Sequence, residues 1–119
     1  MPQQKEDTGT HMSECKIDEH GTKQWYLDGK LHREDGPAVE YDNGDKSWYL
    51  HGLLHREDGP AYVGCNGGDK YWYLHGEQHR EDGPAVEYAD GTKYWYLGGG
   101  QVTEAEVVCL NIKKILELI

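Results

Sequence analysis

The chain repeats itself. Trp-Tyr-Leu recurs with Trp25, Trp48, Trp72 and Trp95 spaced 23, 24 and 23 residues apart. The word His-Arg-Glu-Asp-Gly-Pro-Ala starts at His32, His55 and His79, in the same register. A period of this length marks an array of short supersecondary units, none of which buries its apolar face alone. The one extra residue of the longer interval falls in Cys65-Asn66-Gly67-Gly68, so that segment reads as a turn tolerant of insertion.

Punctuation inside a unit predicts strands. Ala85-Val86-Glu87-Tyr88 is a short β run, and the Asp90-Gly91 after it is a strong hairpin signal. Lys93-Tyr94-Trp95-Tyr96-Leu97 is the return strand. Asp28-Gly29, His51-Gly52 and His75-Gly76 mark a second tight turn, and a short extended piece then carries the His-Arg pair. Proline closes the unit where no ladder donor is needed. Alternation puts Trp25 and Leu27 on one face and Tyr26 on the other, with Tyr49, Tyr73 and Tyr96 at equivalent places. Val39 and Tyr41 share a face, as do Val86 and Tyr88. The tryptophan row is read as the glue of a single-layer sheet, with an aromatic ligand groove as the alternative.

The two ends depart from the period. Residues 1–12 are polar and lack the apolar run of a signal peptide; Gly9-Thr10-His11-Met12 reads as a cloning junction, so 1–12 is assigned to a tag or linker-like tail. Residues 13–102 form the β array of about four units. Residues 103–119 read as a helix. Thr103-Glu104-Ala105-Glu106 is a capping box, and Val108, Ile112, Ile115, Leu116 and Ile119 have helical spacing, with Lys113 and Lys114 opposite them. That stripe either covers the last sheet edge or pairs with a second copy. The expected fold class is therefore an all-β array of antiparallel hairpins in a single twisted sheet, closed by one C-terminal helix.

Charge narrows the partners. Twelve Lys and Arg against 22 Asp and Glu give a net charge of −10. A broad basic face for phosphates is excluded, so no direct DNA or RNA binding is expected, and anionic membrane surfaces are disfavoured. A basic partner fits. Cys15, Cys65 and Cys109 are few, distant and without a CxxC pair, which suggests a reducing compartment and no cysteine zinc site.

His32, His55 and His79, each succeeded by Arg, Glu and Asp, are the only catalytic-looking group. Identical residues repeated along an array do not converge on one metal or one reacting atom, so no catalytic residue, metal or cofactor is assigned and the chain is not read as an enzyme. The alternative functional role is a row facing a partner, made of Glu34, Asp35, Glu57, Asp58, Glu81 and Asp82 together with Tyr26, Tyr49, Tyr73 and Tyr96. The structural role is more specific. Arg33, Arg56 and Arg80 fork onto carboxylates such as Glu57 or Asp58. Each His packs edge-on beside the Trp row and bonds a turn carbonyl. His51 and His55 could flank one turn as a weak two-ligand metal pair.

The stretch Asp-Gly-Thr-Lys-Tyr-Trp-Tyr-Leu, with its Gly and His words, resembles a MORN repeat over roughly residues 15–106. It is most similar to the divergent MORN-like repeats of small proteins encoded by tailed bacteriophages. Arg-Glu-Asp stands between His and Gly, where the usual MORN unit has none. The resemblance implies a hairpin array that acts as a binding or scaffolding surface. For phage-encoded versions it implies a cytoplasmic inhibitor of host defence machinery, of the anti-CRISPR kind. Acidic residues at a fixed pitch would there imitate a phosphate track and occupy a basic channel of a host protein or ribonucleoprotein. The rival expectation is a self-assembling scaffold, dimeric through its C-terminal helix.

Overall fold

A computed structural model describes residues 13–118. Residues 1–12, assigned to a tail, and Ile119, assigned to the helix stripe, lie outside the described residues. The chain forms antiparallel strands and then one helix: β1 (Glu14–Ile17), β2 (Lys23–Leu27), β3 (Lys30–Leu31), β4 (Val39–Glu40), β5 (Lys46–Ser47), β6 (Tyr49–Leu50), β7 (Leu53–Leu54), β8 (Tyr62–Val63), β9 (Lys70–Tyr71), β10 (Tyr73–Leu74), β11 (Glu77–Gln78), β12 (Val86–Glu87), β13 (Lys93–Leu97), β14 (Gly100–Val102) and α1 (Glu104–Glu117).

The expected single sheet is subdivided. One ten-stranded sheet runs β1-β2-β4-β5-β8-β9-β12-β13-β14, with β3 beside β2, while β6-β7 and β10-β11 are separate two-stranded ladders. The break falls at the tryptophan. Trp48 donates its N–H to the Ala61 carbonyl of the next unit at 2.7 Å, and its own carbonyl accepts from His55 N at 3.0 Å. Trp72 does the same with Ala85 and His79. Residues before Trp48 therefore lie in the long sheet, between β4 of their own unit and β8 of the next, and residues after it form the β6-β7 hairpin within their unit. One short sequence thus serves two ladders.

The hairpins after Trp-Tyr-Leu close through two successive positive-φ residues. Asp28, His51 and His75 have φ of 52°, 52° and 51°, and the glycines after them have φ of 79°, 83° and 84°. This is the sign pattern of a type I′ turn, which matches the twist of the flanking strands and requires Gly at its second position. The buried set is small: Ala38, Val39, Ala61, Ala85, Val86 and Val107, with Thr22, His32, Ser47 and His55 as its polar members. With so little apolar burial, polar groups must fill part of the stabilising role that a thicker core would take.

Helix α1 carries the anticipated cap. Thr103 Oγ1 accepts from Glu106 N at 3.1 Å, and Glu106 Oε1 accepts from Thr103 N at 2.9 Å. The stripe does not cover the last sheet edge. Val108, Ile112, Ile115 and Leu116 are 48–62% exposed, whereas Val107 alone is buried. Lys114, expected opposite the packed stripe, instead pairs with Glu81 of the array. The helix meets a mixed surface, with Leu97 and Val102 of the last strands on one side and the Glu81 loop on the other, which takes a face of one valine with an amide and an ammonium.

Candidate functional site

The seven-residue word builds both the junctions between units and the surface they present. Its His is a clasp. His32 Nδ1 accepts the backbone N–H of His51 at 2.8 Å, His55 Nδ1 that of His75 at 2.9 Å, and His79 Nδ1 that of Gly98 at 2.8 Å. Each recipient is the first turn residue of the next unit. The sequence-based assignment of a turn carbonyl as partner is thus corrected to a turn amide. This fixes the tautomer: Nδ1 bears no proton, and Nε2–H donates to Glu34, Glu57 and Glu81 at 3.2, 3.3 and 3.1 Å.

The Arg, and not the His, covers the tryptophan. Arg33, Arg56 and Arg80 each lie with Cζ 3.9 Å from the ring centroid of Trp25, Trp48 and Trp72. Their Nε donates to Asp35, Asp58 and Asp82 at 2.9, 3.0 and 2.8 Å, and Nη1 donates to the carbonyl of the Pro four residues on. These pairs hold the Asp58 and Asp82 carboxyls below the usual range, chiefly through the arginine hydrogen bond. The glycine of the word makes room: a Cβ at Gly83 would stand 2.7 Å from Arg80 Cζ. Among the described residues no arginine lies over Trp95, and Thr103 occupies the position of the Arg.

Two clefts lie between successive loops of this word. The first, about 460 Å³, is floored by Trp48 and Leu50 and walled by Arg33, Glu34, Asp35, Arg56, Glu57 and Asp58. The second, about 610 Å³, is floored by Trp72 and Leu74, and Glu57 and Asp58 now face Glu81 and Asp82 across it. The walls of each hold two arginines against four carboxylates. Both arginines are already stacked and paired, so the surplus charge at the rim is negative. Of the tyrosines grouped with these carboxylates in the sequence reading, Tyr26, Tyr49, Tyr73 and Tyr96, none lines either cleft. They are half-buried, and burial raises the phenol pKa of Tyr49 and Tyr73. The acidic row and the tyrosine row are therefore separate surfaces.

A different tyrosine cluster escaped the sequence reading. Tyr62 stacks on Tyr71 at 5.1 Å, Tyr71 meets Tyr88 edge-on at 6.0 Å, and Tyr88 meets Tyr94 edge-on at 6.0 Å. Tyr62 donates to Asp45 Oδ2 at 2.7 Å, which raises its phenol pKa. Burial, with the Asp69 hydrogen bond, pushes Tyr71 up to about 12. Asp45 in turn accepts from Cys65 N and Tyr62, in that order of effect, and its carboxyl is lowered. The signal was available in the sequence, because Tyr62 and Tyr71 stand where the hairpin of the preceding unit has Val39 and Ser47.

Other sequence assignments separate in space. His51 packs against His32 and His75 against His55, each with ring centroids 4.5 Å apart and the rings tilted by 50° and 46°, so the histidine contacts described are pairs across the junction. Among the described residues no group of three His, Cys, Asp or Glu side chains is placed to hold a metal ion. Cys15, Cys65 and Cys109 are free thiols, and no helix among the described residues is long and apolar enough to cross a membrane. Comparison with protein-family models, curated proteins and solved structures finds no match for the chain.

Proposed function

We propose that this chain is a non-enzymatic binding module of MORN-like units, which engages a basic surface of a partner protein or ribonucleoprotein. The observation that supports it is the pair of aromatic-floored clefts with exposed carboxylates along their rims. In its sharper form the partner is a host defence complex in the cytoplasm of an infected bacterium. The module then acts as a phage-encoded, anti-CRISPR-like inhibitor whose carboxylates stand in for a phosphate track. That reading needs no cofactor, no membrane and no direct contact with nucleic acid. The test is affinity capture from bacterial lysate with and without nuclease, repeated with Glu57→Gln/Asp58→Asn. A stoichiometric partner that survives nuclease, is displaced by its own nucleic acid and is lost with the variant is the expected result. Recovery of the bait alone, or capture indifferent to about 0.5 M salt, would overturn it, since steering between charged surfaces is screened.

A second reading, a self-assembling scaffold, is favoured by the exposure of Val108, Ile112, Ile115 and Leu116 on one helix. It predicts an oligomer by light scattering that dissociates when Ile112 and Ile115 are both changed to Lys.

A further inference from the structure

The third acidic loop already has an occupant, supplied by the chain itself. Helix α1 lies beside β13, and Asn111 Nδ2 donates to the Glu81 carbonyl at 2.7 Å while Lys114 pairs with the Glu81 carboxylate. Lys114 is the first cause of the lowered Glu81 carboxyl, with His79 second. Beside the helix, Leu97, Val102, Ala105, Cys109 and Leu110 line a mostly apolar depression. Leu97 occupies the position in its unit that Leu50 and Leu74 occupy in theirs, and those two leucines floor the open clefts. The glutamate side chain is 48% exposed at Glu81, against 77% at Glu34 and 84% at Glu57. Val107, Asn111 and Lys114 sit at i, i+4 and i+7, one face of one helix.

We infer that the two open clefts each seat a lysine-bearing amphipathic helix of the partner protein, in the manner in which α1 seats on the third loop. This rests on the reading of the loops as the contact for a basic partner, and it adds the partner's form. The chemistry is complementary. An aromatic and leucine floor takes the aliphatic stem of a lysine or an apolar neighbour, and the rim carboxylates take its ammonium. A side-chain amide one turn earlier reaches the loop carbonyl that Asn111 reaches at Glu81. The loop that carries Glu57 and Asp58 is a wall of both clefts, so it is the natural centre of such an interface.

The test monitors the four indole N–H signals of the full chain by NMR, assigned with single Trp→Phe variants. The probe is a cationic helical peptide of about 18 residues, long enough to hold a helix in this setting, with Leu, Gln and Lys at i, i+4 and i+7. The control has equal charge and two central prolines. The helical peptide is expected to move the Trp48 and Trp72 signals well beyond those of Trp25 and Trp95. It should bind about tenfold or more tightly than the proline control, and lose about tenfold or more in Glu57→Gln/Asp58→Asn. If both peptides bind alike and the variant weakens both while Trp48 and Trp72 stay still, the helix-in-cleft inference falls and the acidic-loop reading stands. If neither peptide binds at low salt, or a Glu19→Gln/Asp42→Asn control weakens binding as much, both fall. Movement of Trp48 and Trp72 with protein concentration alone would make the occupant a second copy and overturn the assignment to a partner.

Discussion

The first two junctions between units and the third share one sequence word and the same backbone bonds, yet they present different surfaces. Arg33, Arg56 and Arg80 each donate their N–H to the tyrosine carbonyl of the next unit at 3.1 Å. Each histidine clasps the next turn. Residues downstream of the word make the difference. His51 and His75 pack tilted rings against His32 and His55, whose side chains are 3% and 5% exposed, whereas Gly98 has no ring and leaves His79 at 21%. A cleft opens between the first and second loops and another between the second and third, whereas the far side of the third loop is engaged by α1 through Glu81. The word encodes the clasp, and its neighbours decide whether the clasp is buried and whether its carboxylates are available.

The largest expected effect tests the clasp itself. His55→Ala removes a buried acceptor and leaves the His75 N–H without a partner, a loss of about 2–3 kcal/mol. In thermal melts that is a fall of roughly 10 °C. His79→Ala, at the more exposed junction, should cost about half as much. Equal losses would erase the distinction between the junctions. Next is Val107→Ala, which removes the one buried anchor of α1 at about 1–2 kcal/mol. Because an isolated helix of 14 residues is marginal in water, the loss should show as reduced helical ellipticity while the β signal persists.

Asp45 ties the middle turn to the Cys65 insertion, and Asp45→Asn should cost about 1 kcal/mol or less after solvent screening. The native carboxyl is lowered, so its contribution is complete above the ordinary Asp value of about 3.9 and is lost as pH falls through the lower folded value. Urea melts should therefore show the wild type and Asp45→Asn differing near pH 6 and converging in acid. A gap that widened in acid would contradict the assignment. The smallest effect concerns the middle unit. Arg33 and Arg80 also reach Glu40 and Glu87 at 3.2 and 2.9 Å, but Val63 stands at that position beside Arg56. Val63→Glu should supply the missing carboxylate and gain up to about 0.5 kcal/mol, as for other partly exposed pairs. A loss would show that the valine packs.

Much of the fold was legible because its signals are local. The turn at His51-Gly52 needs only two residues able to take positive φ, and the cap at Thr103 needs only Glu106 three positions on. The clasp was half legible. Recurrence marked His32, His55 and His79 as structural, but their acceptor role depends on which amide lies 19 or 20 residues away once the ladders are in register. The arginine stack could have been read from Arg falling eight residues after Trp in three units and from its absence at Thr103, where the helix begins. Apolar periodicity marked Val108, Ile112, Ile115 and Leu116 for either the sheet edge or a second copy. The structure leaves them exposed, because the helix meets the array through Val107, Asn111 and Lys114, and only the first of those uses is ruled out.

By itself the sequence determined the period, the hairpins, the left-handed turn positions and the helix with its cap. Each is set by interactions among residues a few positions apart. Only the tertiary structure decided where the strands change partners at Trp48 and Trp72, which ring nitrogen accepts, which face of α1 docks, and that the carboxylates and tyrosines part onto different surfaces. Those outcomes depend on the register and direction of side chains brought together from successive units, and a one-residue shift in register would reverse the face on which each side chain lies.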